Sequence, residues 1–81
     1  MSAHHGTPRT FELTDTVRAR FDREVAKYPA EQRQSAVMAC LSIAQQIHGY
    51  VDTGVEKVIA AYLGMAPIAV REVTTFYNMY N

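Results

Sequence analysis

Few side chains in this sequence could do chemistry on their own, and they lie far apart. The only cysteine, Cys40, shares an apolar helical stripe with Ala36, Ile43 and Ile47. Burial in such a stripe raises a thiol pKa and keeps the thiol unreactive. One cysteine forms no internal disulfide, no CxxC pair and no protein-only metal cage. We therefore expect Cys40 to be a packed core thiol and not a nucleophile.

The histidines and carboxylates do not form a catalytic arrangement. His48 has no Ser, Cys or carboxylate in helical register with it, so we expect it to cap or pack the end of a helix. His4 and His5 are adjacent, but the neighbouring sequence supplies no further metal ligand. The acidic candidates for general acid or base catalysis are Asp22, Glu24 and Glu56. We expect all of them on solvated helix faces, so the sequence predicts no catalytic, cofactor-binding or metal-ligating residue.

The composition is typical of a small folded domain. Apolar residues make up 48% and charged residues 20% of the 81 positions. Eight basic residues balance eight acidic ones, so no global field attracts nucleic acid or anionic lipid. The N-terminus lacks the pattern of a secretory signal, and no apolar run approaches the ~20 residues that span a bilayer. We expect a cytoplasmic chain with a flexible tail over residues 1–12 and a helical domain over 13–81.

The apolar positions follow a helical period in four segments that turn signals separate. The segments run over about residues 14–28, 30–48, 53–63 and 67–80. Pro29 ends the first segment because the residue before proline is pushed out of the helical region. Gly49 and Gly64 close the next two, since glycine readily adopts the left-handed conformation that ends many helices. The predicted fold class is all-α, a small bundle of four helices joined by short turns.

The fourth segment carries more aromatic residues than a small core requires. We expect it to bury Val70, Val73, Phe76, Tyr77 and Tyr80. Aromatic residues are enriched in the cores of protein interfaces, so both simple core filling and contact with a partner remain open. No stop signal follows this helix before Asn81, and we expect a longer parent chain. The candidate partner-contact residues are Arg71, Thr74, Thr75, Phe76, Tyr77 and Asn78.

The third and fourth segments also imitate a helix-turn-helix, through the spacing of Ala60, Gly64 and Val70. In that interpretation the fourth helix would read DNA. However, it offers a single cation, Arg71, beside Glu72, and phosphate contacts supply much of the affinity for DNA. A DNA-binding regulator is thus the alternative from another class, and a domain that only stabilises its own parent chain is a third.

Several short motifs resemble one family. They include Lys27-Tyr28-Pro29, Tyr62-Leu63-Gly64-Met65 and Thr75-Phe76-Tyr77-Asn78-Met79. These motifs look like the N-terminal helical part of the small 2Fe-2S, thioredoxin-like ferredoxin subunit of bacterial NADH-quinone oxidoreductase, respiratory complex I, over about residues 14–81. The closing motif is the specific one. A departure is Asp52-Thr53-Gly54, where relatives often have Ser-Pro.

The resemblance implies a helical bundle that precedes a thioredoxin-like domain, which binds a 2Fe-2S cluster through four cysteines. It implies as partners the flavoprotein subunit that oxidises NADH and a neighbouring iron-sulfur subunit, with no nucleic acid and no direct membrane contact. Related modules occur in NAD-linked formate dehydrogenases and hydrogenases. Cys40 matches no cluster ligand of the family, so none is carried over. We expect a scaffold and docking module without redox activity of its own, peripheral to the inner membrane through its parent complex, and a dimer when isolated.

Overall fold

Four helices form the part of the chain that the computed structural model describes, residues 10–77. They are α1 (Asp15–Val25), α2 (Arg33–His48), α3 (Thr53–Leu63) and α4 (Pro67–Phe76). Residues 10–77 contain no strand, and the predicted all-α bundle is confirmed. None of these helices combines the length and apolar character that crossing a bilayer needs.

Local capping chemistry sets the helix ends. The hydroxyl oxygen of Thr14 accepts from the Val17 amide at 3.2 Å, and Asp52 Oδ1 accepts from the Val55 amide at 2.9 Å. Each side chain thereby satisfies an amide that has no partner inside the helix. Gly49 (φ 96°) and Gly64 (φ 71°) end α2 and α3 in the left-handed region. The helix ends predicted at Gly49 and Gly64 are confirmed.

The α1–α2 connection begins earlier than the sequence predicted. Helix α1 ends at Val25, and the Tyr28 amide donates to the Val25 carbonyl at 3.0 Å in a tighter turn. Tyr28 precedes Pro29, which disfavours the helical conformation for it and explains the early end. Helix α2 then begins at Arg33, three residues after the start of the predicted segment at about residue 30.

Helix α2 is the centre of the bundle, because it contacts each of the other three helices. Its residues Val37, Cys40, Leu41 and Ala44 are fully buried. Burying side chains of this kind contributes roughly 25 cal/mol per Å² of apolar surface, the main stabilising term of the fold. Ile47, which we expected on the buried stripe, is 39% exposed, because His48 occupies the buried position of the last turn.

Phe11 anchors the segment before α1 to the core. Its side chain is buried, and its ring centroid lies 6.5 Å from that of Phe21 and 5.6 Å from that of His48. Phe11, which we expected in a flexible tail over residues 1–12, is therefore packed in the core. His4 and His5 lie outside the described residues.

Candidate functional site

Cys40 is the only thiol of the sequence, and it lies in the core with no exposed surface. Burial, and to a smaller extent the negative charge of Asp22, raises the pKa of the Cys40 thiol from 9.0 to about 12. The thiol is therefore protonated at neutral pH and a poor nucleophile. The predicted role of a packed core thiol is confirmed.

His48 is a packing residue, as predicted. Its side chain is 4% exposed, and its ring lies 4.4 Å from the ring of Tyr50 and 5.6 Å from that of Phe11, centroid to centroid. No nucleophile lies in these ring contacts. Within residues 10–77, no three His, Cys, Asp or Glu side chains come together in a way that could hold a metal ion.

Glu56 and Arg71 form a buried ion pair that the sequence pattern did not predict. The Glu56 side chain is 2% exposed, and Arg71 Nε donates to its Oε1 at 2.9 Å. Arg71 Nη2 also donates to the hydroxyl of Thr53 at 3.2 Å. The expectation that Glu56 is solvated was wrong, because α4 packs alongside α3 and covers this carboxylate. Arg71, a predicted partner-contact residue, joins these two helices through this ion pair.

Thr74, one of the candidate contact residues, is buried inside the bundle. Its side chain has no exposed surface, and its hydroxyl donates to the Val70 carbonyl at 3.0 Å. That bond within the helix satisfies the hydroxyl in an apolar environment. The spacing of four residues from Val70 was a usable signal, because residues four apart lie on one helix face.

Phe76 and Tyr77 are exposed, although we expected α4 to bury them. Their side chains are 75% and 45% exposed, and their rings make an edge-to-face contact with centroids 5.0 Å apart. Thr75 beside them is also exposed. Asn78 and Tyr80 lie outside the described residues. We call Thr75, Phe76 and Tyr77 the aromatic surface. Of the candidate contact residues in the described part, these three remain accessible and are not engaged in an internal ion pair.

A groove of about 440 Å³ adjoins the aromatic surface. We call it the α2–α4 groove, because the first turn of α2 and the second half of α4 form its walls. Its lining residues are Arg33, Gln34, Met65, Glu72, Val73 and Phe76. The groove therefore combines an apolar floor with one basic and one acidic side chain.

Tyr62 joins α3 to α1 through a contact that sequence spacing does not indicate. Its hydroxyl donates to Asp22 Oδ1, forty positions away along the chain. The Arg18 guanidinium lies 5.6 Å from the centre of the Tyr62 ring, a cation–π geometry. Burial and the hydrogen bond to Asp22 raise the pKa of the Tyr62 phenol above its ordinary value. The phenol therefore stays protonated at neutral pH, and this cluster links side chains of α1 and α3.

Comparison with known proteins shows a consistent set of relatives. Residues 21–81 match the family described as Thioredoxin-like [2Fe-2S] ferredoxin. The chain is 35% identical over 72 residues to "NADH dehydrogenase [ubiquinone] flavoprotein 2, mitochondrial" of Dictyostelium discoideum, which covers 88% of this chain and 29% of that protein. It is 36% identical over 66 residues to an NADH-quinone oxidoreductase subunit of Rhizobium meliloti (strain 1021), covering 82% of this chain and 38% of that protein. The chain thus spans about a third of the length of these relatives.

The residues present do not fit the iron-sulfur cluster that the family description names. A 2Fe-2S cluster is held by four protein ligands, usually cysteine thiolates. The sequence contains Cys40 alone, and that thiol is buried and protonated. We therefore assign no electron-transfer step to side chains of this chain.

Proposed function

Because this chain belongs to the Thioredoxin-like [2Fe-2S] ferredoxin family and resembles a subunit of NADH-quinone oxidoreductase, we propose that it is the scaffold and docking part of an electron-transfer subunit. In this proposal the bundle holds the cluster-bearing part of its parent beside the flavoprotein that oxidises NADH and a neighbouring iron-sulfur subunit. The complex would lie on the cytoplasmic side of the inner membrane, which the bundle itself does not enter.

The aromatic surface is the observation that carries this proposal. Phe76 and Tyr77 are 75% and 45% exposed at the end of α4. With ~200 Å² per aromatic side chain, covering the exposed fractions of both would remove about 240 Å² from water and contribute roughly 6 kcal/mol before the costs of association. Exposed aromatic side chains of this size are the usual energetic centres of protein interfaces.

The test is co-purification of the chain with the flavoprotein subunit and with the neighbouring iron-sulfur subunit. The variant Phe76→Ser/Tyr77→Ser removes both rings without touching the core. We expect it to bind at least about thirtyfold more weakly than the natural chain, since truncating an aromatic centre of an interface costs about 2 kcal/mol or more and 1.4 kcal/mol is a factor of about ten.

Ile47→Ser is the matched control for this experiment. Ile47 is another exposed apolar side chain, 39% accessible, and it lies fourteen residues from Arg33, roughly 21 Å along α2 from the groove. Both variants should keep the helical circular dichroism of the natural chain. Equal binding by the natural chain and the Phe76/Tyr77 variant would contradict the proposed docking surface. Absence of binding by the natural chain would contradict the docking function itself.

The structure gives no support to the DNA-binding alternative. Arg71 is the only Lys or Arg of α4, and its guanidinium is engaged by Glu56 and Thr53. A recognition helix without an available cation lacks the phosphate contacts that such helices need. The relatives are NADH dehydrogenase and NADH-quinone oxidoreductase subunits, so we propose that parent type over an NAD-linked formate dehydrogenase or hydrogenase.

A further inference from the structure

The α2–α4 groove carries charges of both signs on one apolar depression. Arg33 lies at the first position of α2, and Glu72 lies in the middle of α4. Among residues 10–77, ion pairs form between Lys27 and Glu24 and between Arg71 and Glu56, and neither of them includes Arg33 or Glu72. Met65 and Val73 line the same groove and contribute apolar surface to it.

This arrangement is self-complementary. In a dimer with two-fold symmetry every contact between two different residues occurs twice. If one residue of the first copy contacts another residue of the second copy, the same pair also meets with the copies exchanged. Two grooves facing each other would place Arg33 of each copy opposite Glu72 of the other, so that two opposite-charge contacts form at once. The exposed Phe76 ring on one wall would lie over the apolar floor of the second copy's groove.

We propose that two copies of this chain associate through the α2–α4 groove, with the Phe76 side chains at the centre and two Arg33–Glu72 contacts at the rim. The inference goes beyond the docking function and does not depend on it. It uses the aromatic surface, so a copy in the dimer is not available to bind the flavoprotein through that surface.

The area involved indicates a weak dimer. Two aromatic surfaces contribute about 480 Å² of exposed ring surface, estimated from ~200 Å² per side chain and the 75% and 45% exposures. This area is well below the ~1,200 Å² at which stable interfaces begin, and the lining residues would have to supply the rest. We therefore expect dissociation in the micromolar range and an equilibrium that a better partner overcomes.

Charge reversal provides the test. In a homodimer of the Arg33→Glu variant, each rim contact brings two carboxylates together. In a homodimer of the Glu72→Arg variant, each rim contact brings two guanidinium groups together. Each single variant should dimerise at least about tenfold more weakly than the natural chain, because like charges at an interface are strongly disfavoured. Sedimentation equilibrium over a range of concentrations measures the dissociation constant.

An equimolar mixture of the two single variants separates this interface from any other cause. Every rim contact between an Arg33→Glu copy and a Glu72→Arg copy again joins opposite charges. We expect the mixture to form a heterodimer about as strongly as the natural chain dimerises, although neither variant does so alone. The double variant Arg33→Glu/Glu72→Arg should also dimerise. Both substitutions suit the fold, since a carboxylate is favourable in the first turn of α2 and Glu72 is exposed.

Two outcomes would overturn the proposal. One is a natural chain that stays monomeric throughout the range. The other is a dimer whose dissociation constant neither single variant changes, since another surface or a segment outside residues 10–77 would then form the contact. A monomeric natural chain that still binds the flavoprotein would contradict the dimer and leave the docking function in place. A natural chain that dimerises but binds no flavoprotein would contradict the docking function and leave the dimer in place.

Discussion

Replacing Arg71 by methionine removes the cation that faces the buried carboxylate of Glu56. The Glu56 side chain is 2% exposed, and its second oxygen, Oε2, has no hydrogen-bond partner among the described residues. Arg71 is the cation that pairs with this carboxylate among the described residues. Breaking a buried ion pair by removing one partner costs about 3–5 kcal/mol.

The exposure of Arg71 lowers this figure. The Arg71 side chain is 43% exposed, so water can approach Glu56 through the space that the guanidinium leaves. We expect Arg71→Met to lower the free energy of unfolding by about 2–3 kcal/mol. A chain of 81 residues has a total of roughly 4–12 kcal/mol. The variant should therefore remain folded in water but unfold at a clearly lower urea concentration.

The double variant Arg71→Met/Glu56→Met supplies the decisive comparison. It replaces both charges with apolar side chains, which is often neutral for a buried pair, so it should regain most of the stability that Arg71→Met loses. Urea unfolding followed by circular dichroism measures all three free energies. Arg23→Met, at an exposed arginine of α1, is the control and should change stability by less than about 0.5 kcal/mol. If Arg71→Met matched this control, or if adding Glu56→Met gave no recovery, the ion pair would not have the role we assign to it.

Three further predictions concern the core, the pH response and a helix end. Phe11→Ala should cost about 3 kcal/mol because Phe11 is 5% exposed, whereas Phe76→Ala at a 75% exposed ring should cost less than about 0.5 kcal/mol; equal costs in urea unfolding would contradict this difference. The pKa of the Cys40 thiol in the folded chain, about 12, lies above the ordinary 9.0, so the contribution of the protonated thiol to stability is complete below pH 9. Above pH 9 the unfolded chain loses a proton that the folded chain keeps, and stability should fall by up to about 1.4 kcal/mol per pH unit, less steeply in Cys40→Ala. Gly64→Ala, at φ 71°, should lower the melting temperature, whereas Gly54→Ala inside α3 should leave it unchanged or raise it.

The helices and their ends could be predicted from the sequence because local chemistry determines them. Thr14 and Asp52 bind amides three residues ahead, and Gly49 and Gly64 provide left-handed conformations where the apolar period stops. Such signals act over three or four residues and need no knowledge of the tertiary fold. The burial of Cys40 followed from its place on a broad apolar stripe.

The surface of α4 was predicted less well, because side-chain polarity was given more weight than angular position. At about 100° per residue, Thr74 lies about 40° round the helix from Val70, whereas Phe76 lies about 120° away. The structure accordingly buries Thr74 and exposes Phe76. Angular position on the helix therefore predicts the burial of both side chains better than their polarity does.

Contacts between helices could not be read from the sequence. Arg71 reaches Glu56 fifteen positions away, and Tyr62 reaches Asp22 forty positions away. Both contacts depend on how α3 packs against α4 and α1, which no local pattern specifies. The ion pair of Arg71 with Glu56 is the contact of this kind that matters most, because Arg71 is also a predicted partner-contact residue.

The central position of α2 also has a consequence for how fast the bundle forms. Most close backbone contacts join helices that are consecutive along the chain: α1 with α2, α2 with α3, and α3 with α4. The exceptions are α2 with α4 and the side-chain contacts of Tyr62 with α1. Closing short loops costs little entropy, and helical proteins dominated by such near-neighbour contacts fold in microseconds to milliseconds. Assembly of separate subunits takes milliseconds to minutes. The aromatic surface is therefore complete before a partner arrives, and recognition can proceed by docking of a preformed surface.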